Sequence, residues 1–193
     1  MCGRYSLEVS KEGLTERYNL EKITFDYQER EDIFPATVAV APIILPDTGL
    51  AFLEWGFTPQ FAKRPLINAR AETILEKPTF GKAFRTMRCL IPATAFYEWE
   101  KGEEKKIKRR ITVTNQMIFS IAGICDYFLD EEGREQLKYS LITTEANDQM
   151  KQIHHRMPVI LRPEDESEYL NKEQEPEKVH QLLKPSELKL VII

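Results

Sequence analysis

Cysteine is scarce in this chain and never closely paired: Cys2, Cys89 and Cys125 include no C-x-x-C. That spacing argues against a disulfide framework and against a cysteine-rich zinc site. Three histidines without an H-E-x-x-H leave a zinc hydrolase with no recognisable ligand set. No apolar run approaches the roughly 18 residues needed to span a membrane, and MCGRYSL is too polar to begin a secretory signal. There is no G-x-G-x-x-G, no P-loop, no internal repeat and no low-complexity tract. The expectation is a soluble, cytoplasmic, monomeric protein with reduced cysteines, no metal and no cofactor.

The chain has 193 residues, 42% hydrophobic and 30% charged, which suits one well-packed domain over 1–193. Its net charge of −4 conceals a split. Residues 163–177 hold seven acids and one lysine, a local −6, so the rest of the chain sums to +2. Arg4, Lys63, Arg64, Arg70, Lys82, Arg85, Arg88 and the KKIKRR run at 105–110 offer material for a phosphate-facing surface, although that run reads first as the solvated edge of a hairpin.

Short β-branched or aromatic runs separated by turn signals dominate. They are TVAVAPIIL (37–45), LAFLEW (50–55), MRCLI (87–91), TAFYEW (94–99), RRITVT (109–114), MIFSIAGI (117–124), KYSLIT (138–143) and MPVIL (157–161). Helical patterns fit 12–18, 69–76, 79–86, 145–153 and segments within 163–184. The order is mixed rather than βαβ, which predicts an α+β fold.

Four polar stretches interrupt apolar surroundings: MCGRY, PLINARAET (65–73), AFYEW (95–99) and QIHHRMPVIL (152–161). Each has an ordinary explanation, with Asn68 as a cap, Glu98 on a solvent face, and His154 and His155 in a surface loop. Together they supply a thiol, an amide, a carboxylic acid and imidazole. The thiol is the unusual member. Methionine aminopeptidases remove Met1 before a small side chain, which would leave Cys2 as a 1,2-aminothiol whose amine and thiol have reference pKa values of about 7.7–8.0 and 8.5.

MCGRY, Trp55-Gly56-Phe57, PLINARAET, AFYEW and IHHRMP, in this order and at these intervals, resemble the SOS-response-associated peptidase (SRAP) family over nearly the whole chain. The resemblance implies a single SRAP-type α+β domain with a β-barrel-like, mostly antiparallel core and peripheral helices. It also implies binding of single-stranded DNA and covalent capture of abasic sites. By motif it makes Cys2 the nucleophile, Asn68 the residue that positions the amino terminus, Glu98 the acid/base and His154 the group that assists at the ring-opened sugar. Arg4, Arg70 and Arg156 match phosphate-holding positions, Thr144 a threonine lining the site, and Phe61 a place where tryptophans are frequent. The chain departs from the family at Glu31-Asp32-Ile33-Phe34-Pro35, where Tyr-Asn-x-Ala-Pro is usual, and ends without the familiar valine-asparagine segment.

The aminothiol supports a definite chemistry. Its amine attacks the open-chain aldehyde of an abasic site to form a Schiff base, and the neighbouring thiol closes a thiazolidine that shields the lesion. Two alternatives remain open from the residues. One is an N-terminal-nucleophile peptidase acting on its own amino terminus, where only Met1 precedes Cys2; the other is a non-covalent reader of single-stranded DNA.

Overall fold

A computed structural model of the chain describes residues 2–20, 27–35 and 41–193. The expected strand over 37–45 is therefore seen only from Ala41, and Met1 lies outside the described residues.

Five strands close into a barrel. β3 (Ala41–Leu45) and β4 (Gly49–Trp55) form a hairpin; β3 pairs with β6 (Arg88–Ala93), β6 with β9 (Phe119–Leu129), and β9 with β10 (Glu135–Glu145). All of these pairs are antiparallel. The ring closes where Lys138 and Tyr139 of β10 run parallel to Glu54 and Trp55 of β4. Closure leaves no exposed edge between these strands.

Alternation along the strands sorts the core into two sets. Ile43, Cys89, Ile91, Ile121, Cys125, Tyr139 and Leu141 belong to the cluster inside the barrel, whereas Ile44, Leu90, Ala122, Ile124 and Ile142 face outward beneath helical segments. Those segments include α2 (Pro78–Thr86), α3 (Glu166–Leu170) and α4 (Pro176–His180), which contribute Phe84, Tyr169 and Val179. Gly123 is required by this packing: a Cβ there would lie 2.6 Å from Ile91 Cδ1 and 2.8 Å from Cys89 Sγ.

A second, antiparallel sheet runs in the order β13 (Leu190–Ile192), β8 (Lys106–Val113), β7 (Ala95–Lys101), β1 (Tyr5–Leu7), β2 (Arg30–Ile33). The basic run at 105–110 lies at the turn end of the β7–β8 hairpin: β13 reaches only Arg110–Val113, so among the described residues Lys106–Arg109 pair with β7 alone and form a solvated hairpin edge. Helix α1 (Lys11–Tyr18) follows β1, with Ser10 Oγ accepting from Gly13 N at 3.1 Å and Asn19 closing it in the left-handed region at φ 48°.

β1 is anchored by aromatic groups. Tyr5 and Tyr139 hydroxyls lie 2.8 Å apart, Tyr5 meets the Trp55 ring edge-on at 5.3 Å, and Trp55 Nε1 donates to Ile67 O at 2.8 Å. Burying rings of this size contributes about 1.5–3 kcal/mol each, so the first strand is held against the barrel and its register is fixed.

Two helix expectations fail. Over 69–76, residues Asn68–Arg70 form β5, parallel to β10 (Leu141↔Asn68, Thr143↔Arg70), followed by a short 3₁₀ turn at Ala71–Thr73. Strand pairing there outweighs local helix propensity. Over 145–153, Glu145 ends β10 and the rest makes isolated turns. Asn147 Oδ1 accepts from Met150 N at 3.0 Å, which caps a single turn, while its Nδ2 donates to Ser186 O at 2.8 Å and ties the segment to the C-terminal region.

Candidate active site

The site lies where β1, β5, β7, β10 and β11 (Arg156–Pro158) converge. β1 pairs with β7 through Tyr5↔Phe96, and Tyr97 N donates to Arg4 O at 2.9 Å, extending the ladder toward Cys2. Glu98 on β7 shares the inward face of Phe96, because side chains two residues apart point the same way. β11 pairs with β10 through Thr144↔Met157 and Glu145↔Arg156, which brings His154 to the same end of the sheet.

Cys2 is completely buried. Asn68 Nδ2 donates to the Cys2 carbonyl at 2.9 Å, and the Cys2 thiol lies 3.8 Å from Arg4 O. Burial first, and then the negative charge of Glu98, push the Cys2 thiol up to about 12. At neutral pH it is a thiol, and ring closure through it needs a base. Asn68 Oδ1 is buried without a hydrogen-bond partner among the described residues, an acceptor beside the main chain of residue 2.

Glu98 is 3% exposed, and its Oε1 lies 3.9 Å from His154 Nδ1. That ring nitrogen is 3.0 Å from Arg156 N and 3.2 Å from Arg156 O. It can accept from the amide when Nε2 carries the proton, or donate toward the carbonyl and Glu98 when it carries the proton itself. The two contacts are mutually exclusive for one proton placement, and accommodation of both tautomers suits a group that relays protons.

The structure thus brings together Cys2, Asn68, Glu98 and His154. Thr144 is buried on β10, opposite Met157 of β11. Arg70 leaves β5 on the same side as Asn68 and is exposed. Phe61, 74% exposed, sits on the loop between the bridged residues Phe57 and Leu66 that leads into β5.

Arg4 and Arg156 differ from free phosphate ligands. Arg4 Nε is 3.1 Å from Asp32 Oδ1, and its guanidinium lies over the Phe34 ring at 5.2 Å and the Trp99 ring at 5.3 Å. Asp32 and Phe34 belong to the Glu31–Pro35 segment. Arg156, 6% exposed, makes a bidentate pair with Glu72 (2.7 and 2.9 Å) and donates to Thr143 O at 2.8 Å. Both terminal nitrogens are occupied, while Nε is buried without a hydrogen-bond partner among the described residues. A phosphate there meets a guanidinium already clamped to the 3₁₀ turn after β5. The Glu72 carboxyl is lowered despite the opposing effect of its burial, because Arg156 and backbone N–H groups of Glu72 and Glu145 donate to it. Glu72 was visible in the sequence only as part of the alternating Asn68-Arg70-Glu72; its partner, 84 residues away, carried no local signal.

Among the described residues no group of three or more His, Cys, Asp or Glu is arranged to hold a metal ion. Among the same residues no helix is long and apolar enough to cross a membrane.

The family model described as SOS response associated peptidase (SRAP) matches residues 1–192. The chain belongs to the SRAP family. Its relatives include abasic site processing protein YoqW of Bacillus subtilis (strain 168), 37% identical over 196 residues that cover 96% of this chain and 87% of that one. Abasic site processing protein HMCES of Xenopus tropicalis is 30% identical over 139 residues, covering 58% of this chain and 42% of that one. The SRAP fold is also seen in the crystal structure of a Bacteroides thetaiotaomicron protein, with a TM-score of 0.86, 30% identity, and coverage of all of this chain and 92% of that one.

Proposed function

We propose that this SRAP chain processes abasic sites in single-stranded DNA by forming a covalent thiazolidine through Cys2 after Met1 is removed. The observation that carries the reading is the convergence of Cys2 with Asn68, Glu98 and His154 at one end of the barrel. The names of the relatives support the same substrate class.

In the proposed reaction the Cys2 amine, freed by removal of Met1, attacks C1′ of the open-chain aldehyde. Proton transfer from nitrogen to the carbonyl oxygen gives a carbinolamine; Glu98 in its acid form protonates the departing hydroxyl, water leaves, and a protonated imine forms. The resulting Glu98 carboxylate takes the thiol proton as sulfur bonds to C1′, and the C=N electron pair returns to nitrogen, which leaves a neutral five-membered ring. The raised thiol pKa makes this base assistance necessary. His154, able to carry its proton on either ring nitrogen, serves the sugar oxygen. Asn68 holds residue 2 through its carbonyl and offers Oδ1, a buried acceptor, to the amine.

Single-stranded DNA suits a buried nucleophile because an unpaired nucleotide can be splayed into the site at little energetic cost. Exposed Arg70 supplies phosphate affinity without reading sequence. Incubation of the Met1-processed chain with an abasic oligonucleotide tests the reading: a denaturation-resistant 1:1 adduct mapping to Cys2 is expected, and binding with no adduct would leave a non-covalent reader.

A further inference from the structure

His155 is not used in that mechanism, yet it is not an isolated surface residue. Its ring stacks on His154 with centroids 4.3 Å apart and planes at 28°. Its main-chain carbonyl accepts from Ala146 N at 3.1 Å, which fixes the turn that carries it. With Arg70, Glu145, Ala146, Lys151 and Arg156 it lines a groove of about 400 Å³.

We propose that His155 is a phosphate ligand that takes up a proton when a DNA phosphate enters this groove, so that binding of single-stranded DNA is coupled to protonation beside His154. The inference rests on the reading of this chain as a DNA-binding protein and adds a residue and a proton to it.

The charges around the ring favour this behaviour. His154 comes from its own segment, Arg70 from β5 and Arg156 from β11; Lys151 lines the groove but is paired with Asp148 at 2.7 Å, and Glu145 is an acid of the groove wall. The Arg156 charge is largely answered by Glu72. The His155 pKa is lowered by His154 first, then by lost solvation, the chain's amino terminus, Arg156 and Arg70. The ring therefore stays neutral in the free protein at neutral pH. A phosphodiester, which does not titrate in this range, reverses the local sign: it answers Arg70 and accepts an N–H from an imidazolium. The proton comes from solvent, and its uptake makes affinity rise as pH falls.

The test uses the full chain and a lesion-free oligothymidylate, so that no covalent step contributes, with anisotropy titrations from pH 8 to 5.5 at constant ionic strength. The affinity of the unaltered chain is expected to rise with a slope approaching tenfold per pH unit for one proton. The NMR titration midpoint of the His155 ring is expected to move up when DNA is added. His155→Gln should bind at pH 8 much as the unaltered chain does and lose most of that slope. His154→Gln, which removes the leading cause of the lowered His155 pKa, should move the pH-dependent region upward rather than abolish it. An unchanged slope in His155→Gln, or a His155 midpoint unmoved by DNA, overturns the inference while leaving DNA binding intact. Absence of oligothymidylate binding together with absence of abasic capture at any pH overturns the functional reading itself.

Discussion

The Asn68 side-chain amide donates to the Cys2 carbonyl at 2.9 Å, while its own oxygen is buried beside the same residue with no partner among the described residues. One side chain thus fixes the main chain of the nucleophile and carries a buried acceptor beside it. Asn68→Ala should slow adduct formation roughly 3–10-fold, the effect of one lost hydrogen bond, with little change in thermal stability. Asn68→Asp keeps an acceptor and loses the donor, so it should fall between the two. Single-turnover gel kinetics check this, and equal rates for all three proteins would remove Asn68 from the site.

The Cys2 thiol titrates far above its usual range in the Met1-retaining chain, chiefly through burial and next through Glu98. The folded value, about 12, exceeds the reference range of about 8.5–9. Below that range the thiol is protonated in folded and unfolded chains alike and exerts no pH-dependent effect. Above it the unfolded chain loses a proton that the folded one retains, so the contribution to stability fades as pH rises toward the folded value. Chemical-shift titration of the Cys2 Cβ should show no thiolate at pH 8, and Glu98→Gln should move the midpoint down. A thiolate at neutral pH in the unaltered chain would remove the need for a base in ring closure.

Arg70 and Arg156 should respond differently to removal. Arg70→Ala takes away an exposed charge, so capture should weaken more as salt is raised while the melting temperature holds. Arg156→Ala deletes the clamp joining Glu72, Thr143 and the strand before which His154 sits. It should cost about 1–3 kcal/mol and lower the melting temperature by roughly 3–10 °C. Calorimetry beside binding at two salt concentrations separates the roles; unchanged melting in Arg156→Ala would make it a phosphate ligand alone.

The contrast between these arginines marks what the sequence could convey. AFYEW read as a strand with one displaced acid because strand periodicity is local, and Glu98 does lie on the buried face of β7. The barrel strands were recognisable as short β-branched or aromatic runs between turn signals; β6 is buried on both faces and shows no alternation. Ala69 and Arg70 were expected in a helix because their strand character comes from a parallel partner more than 70 residues away. Pairing of Arg156 with Glu72 and of Arg4 with Asp32 depends on tertiary approach, so residue type suggested charge there but not that it was already answered.

The paired hydroxyls of Tyr5 and Tyr139, both fully buried, predict non-additive substitution. Tyr5→Phe leaves the Tyr139 hydroxyl without this partner and should cost about 1–2 kcal/mol. Adding Tyr139→Phe should restore part of the loss, since no orphaned polar group then remains. Denaturant titration of the single and double variants checks the cycle, and simple additivity would show that the 2.8 Å contact carries no coupling.

The central claim concerns a free amine and thiol on the same residue, and it is tested most directly by intact mass after incubation with an abasic single-stranded oligonucleotide. Two forms of the chain are compared, one beginning at Cys2 and one retaining Met1 through an N-terminal extension. The account predicts a 1:1 adduct, stable to denaturation, for the first form, and no thiazolidine for the second even though its thiol remains. Equal and equally stable crosslinking by the extended form would contradict it.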